Sequence, residues 1–209
     1  ACAIRLARLV NAMRPDVIQG WMYHGNVAAA LAHRMAPGRA RRGLYWNLRA
    51  SRMDTERYGG IIEWNARLSA WPDLVISNSR AGMDFHVSCG FAPRRSMVIP
   101  NGIDTAKYKP DPVARREIRA ELGIAEDAVV AIKTARVDAM KDHETFLAAM
   151  VLNPDIQGLL AGRDTRKLTL PPNVTALGLR DDVARLCAAS DITVCSSAFG
   201  EGFSNALSE

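Results

Sequence analysis

The chain has 209 residues, 48% of them hydrophobic and 23% charged, with a formal net charge of +5. This composition fits a soluble globular protein of one large domain or two small ones. No apolar run approaches the ~20 residues of a membrane span, and no signal peptide is visible in the opening ACAIRLARLV, which begins in mid-pattern.

In chain order, residues 3–13 read as a helix ending before Arg14-Pro15, and Val17 to Gly20 as a short strand followed by a turn over Trp21 to Asn26. The alanine-rich stretch Val27 to Met35 predicts a helix, closed by Pro37-Gly38. A strand over Gly43 to Leu48, a long helix over Thr55 to Trp71 stopped by Pro72, and a strand over Leu74 to Ser77 follow. Residues 80–89 read as a helix with Gly90 at its C-cap, and Met97 to Ile99 as a strand running into the turn Pro100-Asn101-Gly102. The pattern then restarts. Val113 to Leu122 is an amphipathic helix ended by Gly123. Val129 to Thr134, Gln157 to Ala161 and Val174 to Leu177 are strands, and Asp142 to Met150 and Asp181 to Ala189 are helices.

Ile192 to Cys195 reads as a buried parallel strand. Behind it Gly200, Glu201 and Gly202 form a glycine-rich turn, and a helix starts near Phe203. A strand, a glycine turn and a helix start present free backbone N–H groups and a positive dipole end to an anion. Alternating strands and helices predict an α/β protein with parallel sheets. The restart divides it into two Rossmann-like domains, residues 1–104 and 105–209, facing across a cleft. Ligands of such sheets bind beyond the carboxyl ends of the strands. The first domain shows no opening strand with a glycine-rich loop and the second stops inside a helix. The sequence therefore reads as an internal fragment of a longer protein, both domains incomplete.

Four cysteines (Cys2, Cys89, Cys187, Cys195) lack CxxC spacing and read as reduced packing residues of a cytoplasmic protein. His24, His33, His86 and His143 form no ligand cluster, so no metal site is expected. Residues 1–105 carry 14 Arg, no Lys and 7 acids, whereas residues 106–209 carry 13 basic and 15 acidic residues. A basic first half beside an acidic second half points to an anionic partner such as a membrane surface, or to a solvated basic face. No nucleic acid partner is expected.

Arg136 and Lys141, in TARVDAMKDHETFLAA, lie between a strand end and a helix start. Two cations there are suited to neutralising a departing diphosphate, or they keep a loop wet. His24, in WMYHGNVAAALA, occupies the same kind of position in the first domain and is either functional or a structural hydrogen-bonding group. Gly200-Glu-Gly202-Phe-Ser-Asn205 falls short of GxGxxG and has no acid at the dinucleotide spacing. It is no GxSxG elbow, and no GxxxxGK[ST] occurs.

Four stretches in order, WMYHGN, VIPNGID, ARVDAMKDHETFLAA and FGEGFSNALSE, resemble the retaining glycosyltransferases of family 4, enzymes of the GT-B fold. The last is similar to that family's Glu-x7-Glu motif and VIPNGID to its interdomain linker. The resemblance implies that Arg136 and Lys141 hold the diphosphate of a nucleotide sugar. It implies that Glu201 contacts donor sugar hydroxyls, that Glu209 grips the ribose, and that His24 reaches the donor sugar. It gives the amides of Gly202, Phe203, Ser204 and Asn205 to the distal phosphate and sugar, and Leu179 and Arg180 to the base. The implied reaction is transfer of a hexosyl unit to an acceptor hydroxyl with retained anomeric configuration. It uses no cofactor and no metal, and serves cell-surface polysaccharide or glycolipid assembly. The acceptor is a saccharide, a lipid-linked molecule or a small molecule, and the setting the cytoplasm, with peripheral contact of the basic half on the inner face of the membrane. The alternatives are a sugar-nucleotide epimerase of the same fold and a non-catalytic nucleotide-sugar-binding module.

Overall fold

The computed structural model describes residues 2–38 and 42–209, with the side chains of Cys2 and Ala3 outside the described set. The chain divides into two compact units. One comprises the chain through Asn101 together with Phe199–Phe203, and the other Gly102–Ala198 with Ser204–Glu209.

The first unit runs α1 (Cys2–Met13), β1 (Val17–Trp21), α2 (Met22–Met35), β2 (Gly43–Leu48), β3 (Ala50–Ser51), α3 (Thr55–Leu68), β4 (Leu74–Ser77), α4 (Arg80–Ser88) and β5 (Ser96–Val98). Its main sheet is parallel, in the order β1-β2-β4-β5. Leu44, Trp46 and Leu48 alternate along β2 and pack with Val75, Ile62 and Ala30 into one core, as the two-residue period of a strand requires. On α1, Ala7 and Val10 meet Ala32 of α2 and Ala36 at its C-cap. Small side chains here let the two helices approach closely.

Two sequence expectations fail in this unit. The turn expected over Trp21 to Asn26 does not exist, because Met22 takes a left-handed φ of +57° and α2 starts at once. A single non-glycine residue in that region makes the reversal that six were expected to make, at a cost in local strain. The long helix stops at Leu68, short of Trp71. There the Ser69 hydroxyl donates to the Ala66 carbonyl (2.6 Å) and accepts from the Ala92 amide (2.8 Å), which satisfies groups that another helical turn would have used.

The second unit holds α5 (Pro112–Leu122), β6 (Val129–Thr134), α6 (His143–Leu152), β7 (Ile156–Ala161), β8 (Val174–Gly178), α7 (Val183–Ala189), β9 (Ile192–Thr193) and, after β10 (Gly200–Glu201), α8 (Asn205–Ser208). Asp111 caps α5 through the Val113 and Ala114 amides, and Gly123 ends it at φ +66°. The sheet is parallel in the order β8-β7-β6-β9. The chain thus builds outward from β6 on one side and returns to its other side for β9. Val130 and Ile132 face a core with Ile118, Leu159 and Leu186. Ala131 faces the opposite one, with Phe146 and Met150 of α6.

Two further expectations are corrected here. The strand expected over Ile192 to Cys195 is a two-residue edge strand, with Ile192 46% exposed rather than buried. Of the turn expected at Gly200 to Gly202, Gly200 and Glu201 form the strand β10, paired antiparallel with β3 of the first unit, to which both belong, and only Gly202 lies in a bend. The buried residues Ala50 and Ser51 supply the partners, and the helix starts two residues late, at Asn205.

Candidate active site

In an open parallel sheet the strand order reverses at one point, and the crevice beyond the carboxyl ends of the two strands there is the natural ligand site. In the second unit that point lies between β6 and β9. The segment after β6 carries Arg136, a 3-10 turn over Ala139–Lys141, and then α6. Asp138 caps the 3-10 turn through the Met140 amide (3.0 Å), and Asp142, at φ +44°, caps α6 through Thr145. The segment after β9 is stitched to it. The Ala198 amide donates to the Met140 carbonyl (2.9 Å), and the Ser196 hydroxyl to that of Asp142 (2.6 Å).

Arg136 and Lys141 therefore share one loop at the switch point. Arg136 is largely exposed and donates from Nε and Nη2 to Asp138 Oδ2 at 3.3 and 3.1 Å. The Met140 amide, with Arg136 beside it, holds the Asp138 carboxyl below its usual range. Lys141 closes the 3-10 turn and is half-buried. Beneath the loop lies a residue that the sequence reading passed over. Lys133, at 2% exposure, donates from Nζ to the Lys141 carbonyl (2.7 Å) and to Ser196 Oγ (2.8 Å). The signal was available, since a lysine directly follows the apolar run VVAI within β6. Buried His143, the first residue of α6, has its imidazole held below the ordinary value by burial and then by Lys133.

The other candidates fall elsewhere. Leu179 is exposed just after β8, and Arg180 pairs with Asp182 (2.7 Å) and Glu121 (2.9 Å). Glu209 lines a hollow of about 340 Å³ with Tyr108, Lys109, Cys187, Asp191 and Thr193. Burial, then the Glu209 carboxylate, raises the Tyr108 phenol above its usual value. Ser204 and Asn205 belong with this unit, with the Ser204 hydroxyl 3.7 Å from Cys195 Sγ. Glu201, Gly202 and Phe203 belong to the first unit. The carbonyl of Glu201 accepts from the Ser51 hydroxyl, and a Cβ on Gly202 would lie 2.5 Å from Asn78 Oδ1. His24, also in the first unit, is exposed in the opening turn of α2, a helix with no side-chain cap. Among the described residues no group of three or more His, Cys, Asp or Glu is placed to hold a metal ion, and no helix is long and apolar enough to cross a membrane.

Two α/β units built on parallel sheets are the architecture of the GT-B glycosyltransferases. The model of glycosyltransferase family 4 matches residues 1–107, just over half of the chain, and the chain belongs to that family. A D-inositol 3-phosphate glycosyltransferase of Geodermatophilus obscurus is 38% identical over 60 residues, 29% of this chain and 13% of that protein. The fold matches Anabaena HepE in complex with UDP-glucose, with a TM-score of 0.81 at 24% identity over 97% of this chain and 58% of that one. It also matches sucrose-phosphate synthase of Thermosynechococcus elongatus, with a TM-score of 0.81 at 17% identity over 97% and 55%. The chain thus spans a little over half the length of these solved structures.

Proposed function

We propose that the intact protein is a retaining glycosyltransferase that moves a hexosyl unit from a nucleotide-diphosphate sugar to an acceptor hydroxyl. The observation that carries this reading is the presence of Arg136 and Lys141 on one loop at the β6/β9 switch point. Family membership and the UDP-glucose held by HepE support a nucleotide sugar as donor. In the proposed reaction the bond from the anomeric carbon to the diphosphate breaks ahead of bond making, leaving an oxocarbenium-like sugar. Arg136 and Lys141 stabilise the charge arriving on the diphosphate, the step at which preorganised cations lower a barrier most. A phosphate oxygen of the leaving group takes the acceptor proton on the same face. No divalent metal is required. Glu209 takes the ribose, Leu179 and Arg180 the base, and the amides of Gly202 to Asn205 the distal phosphate and sugar. His24 and Glu201 keep the roles that the resemblance implies.

The excess of arginine in residues 1–105 supports an anionic acceptor or a membrane-surface setting in polysaccharide or glycolipid assembly, at the inner face of the cytoplasmic membrane. Calorimetry of the intact protein against UDP, GDP and ADP, each with and without EDTA, tests the reading. One of the three binds, and binding persists in the chelator. Failure of all three sinks it. Donor-dependent release of free nucleotide, with and without acceptor, separates transfer from epimerisation and from mere binding.

A further inference from the structure

Lys133 is placed where a lysine is costly. The three residues before it in β6, Val130, Ala131 and Ile132, are buried and apolar, and its side chain shares a sheet face with Ala131, toward α6. Burying a charged group is expensive unless it is paired and hydrogen-bonded. The helix end it lies beneath is the positive one, which opposes a cation further. Asp142 at the α6 cap partly offsets this, and Lys133 in turn helps hold that carboxyl below its usual range, after the two bonds from Thr145. Methionine or leucine would fill the same space at lower cost.

What the position gains is geometric. Nζ donates to the main-chain carbonyl of Lys141 and to the hydroxyl of Ser196, and the Ser196 hydroxyl in turn donates to the carbonyl of Asp142. One side chain thereby ties the loop after β6 to the segment after β9, across the strand-order reversal. The residue whose backbone it grips is the one whose side chain meets the diphosphate in the reading above, on which this inference rests. We infer that Lys133 is a positioning residue: it fixes the backbone of Lys141, so that the second cation meets the leaving diphosphate already oriented.

The test is a double-mutant cycle in the intact protein. Lys133→Met keeps the length and the apolar stem and removes the grip. The probes are UDP and UMP, or the corresponding pair of whichever base the wild type binds. Lys133→Met is expected to weaken diphosphate binding by about tenfold to a hundredfold, the range for losing hydrogen bonds to a charged group. Monophosphate binding stays within about threefold, which a general loss of structure would not allow. Lys141→Ala costs about tenfold or more in the wild type but less than about threefold on top of Lys133→Met, because the two act as one unit. Additive losses, or diphosphate binding unchanged in Lys133→Met, overturn the inference. If Lys133→Met does not fold, the same cycle is read with Ser196→Ala, which leaves the lysine and removes one of its acceptors. There too additivity is the overturning result. Failure of the wild type to bind any nucleoside diphosphate instead removes the functional reading on which both rest.

Discussion

Tyr23 and His86, 63 residues apart, share a buried hydrogen bond of 2.8 Å between phenol and Nε2. His86 Nδ1 lies 2.6 Å from the Gly82 carbonyl, which can only accept, so Nδ1 carries the proton and Nε2 accepts from the tyrosine. Burial lowers the His86 pKa below 6.5 and raises that of Tyr23, which keeps the imidazole neutral and the phenol protonated.

This pair sets a pH dependence of stability. The unfolded chain takes up a proton near pH 6.5, whereas the folded one resists it. Below that point the unfolded state binds more protons and is favoured. Stability is therefore complete above about pH 6.5 and falls as the pH drops. His143, shifted in the same direction, adds to the slope. Urea midpoints at pH 7.5 and 5.5 should show the loss in the wild type, and a smaller one in His86→Gln. Equal slopes would remove His86 as a cause.

Arg119 is a second structural keystone. At 2% exposure its guanidinium donates to the carbonyls of Ala189, Ala125, Glu126 and Ala128 and to Asp191 Oδ2, at 2.8 to 3.0 Å. Arg119→Met takes this donor from the Glu126 and Ala128 carbonyls and leaves Ala189, Ala125 and Asp191 Oδ2 only their bonds from Arg115, Ala128 and Val130, so it should cost about 3 kcal/mol or more. Arg119→Lys should recover little, since an ammonium cannot span the fork. Denaturant titration of both variants checks this, and a near-neutral methionine would refute it.

Gly162 lets the end of β7 lie against the loop that bears Arg136. Its φ is +154°, and a Cβ there would sit 2.0 Å from the Ala135 carbonyl oxygen. Gly162→Ala must displace Ala135 and Arg136. The expected loss is above about 2 kcal/mol in stability and tenfold or more in diphosphate affinity. Gly123→Ala is the control, at φ +66° with open space around it. It should cost about 1–2 kcal/mol and leave affinity alone. Equal effects in both measurements would refute the steric argument.

In the intact protein, Arg136→Ala or Lys141→Ala should cut turnover by roughly a hundredfold to a thousandfold, as for loss of one preorganised donor to a developing anion. Steady-state kinetics should show the loss mainly in kcat. A loss below about threefold in both variants would exclude the diphosphate role.

Strand and helix order was legible because apolar runs, alanine-rich stretches and Gly/Pro punctuation report local preference directly. Val129 to Thr134 and Gly43 to Leu48 were read to the residue. What escaped depends on partners distant in sequence. Nothing near Gly200 announces that Ala50 and Ser51 offer it a strand, and nothing near Trp71 shows that Ser69 will serve Ala92. Arg136 and Lys141 were visible as charges in a loop between a strand and a helix. Lys133 was visible as a letter but not as a tie, since its acceptors lie 8 and 63 residues away.

The pairing of Gly200 and Glu201 with Ala50 and Ser51 also orders events in time. A ribosome that has released the first unit's sheet must still add about a hundred residues before Gly202 emerges to rest against Asn78. At 5–20 residues per second that is a delay of roughly 5–20 s. Throughout it the backbone of Ala50 and Ser51 waits without its strand partner, so this corner of the first unit is completed only after most of the second has been made.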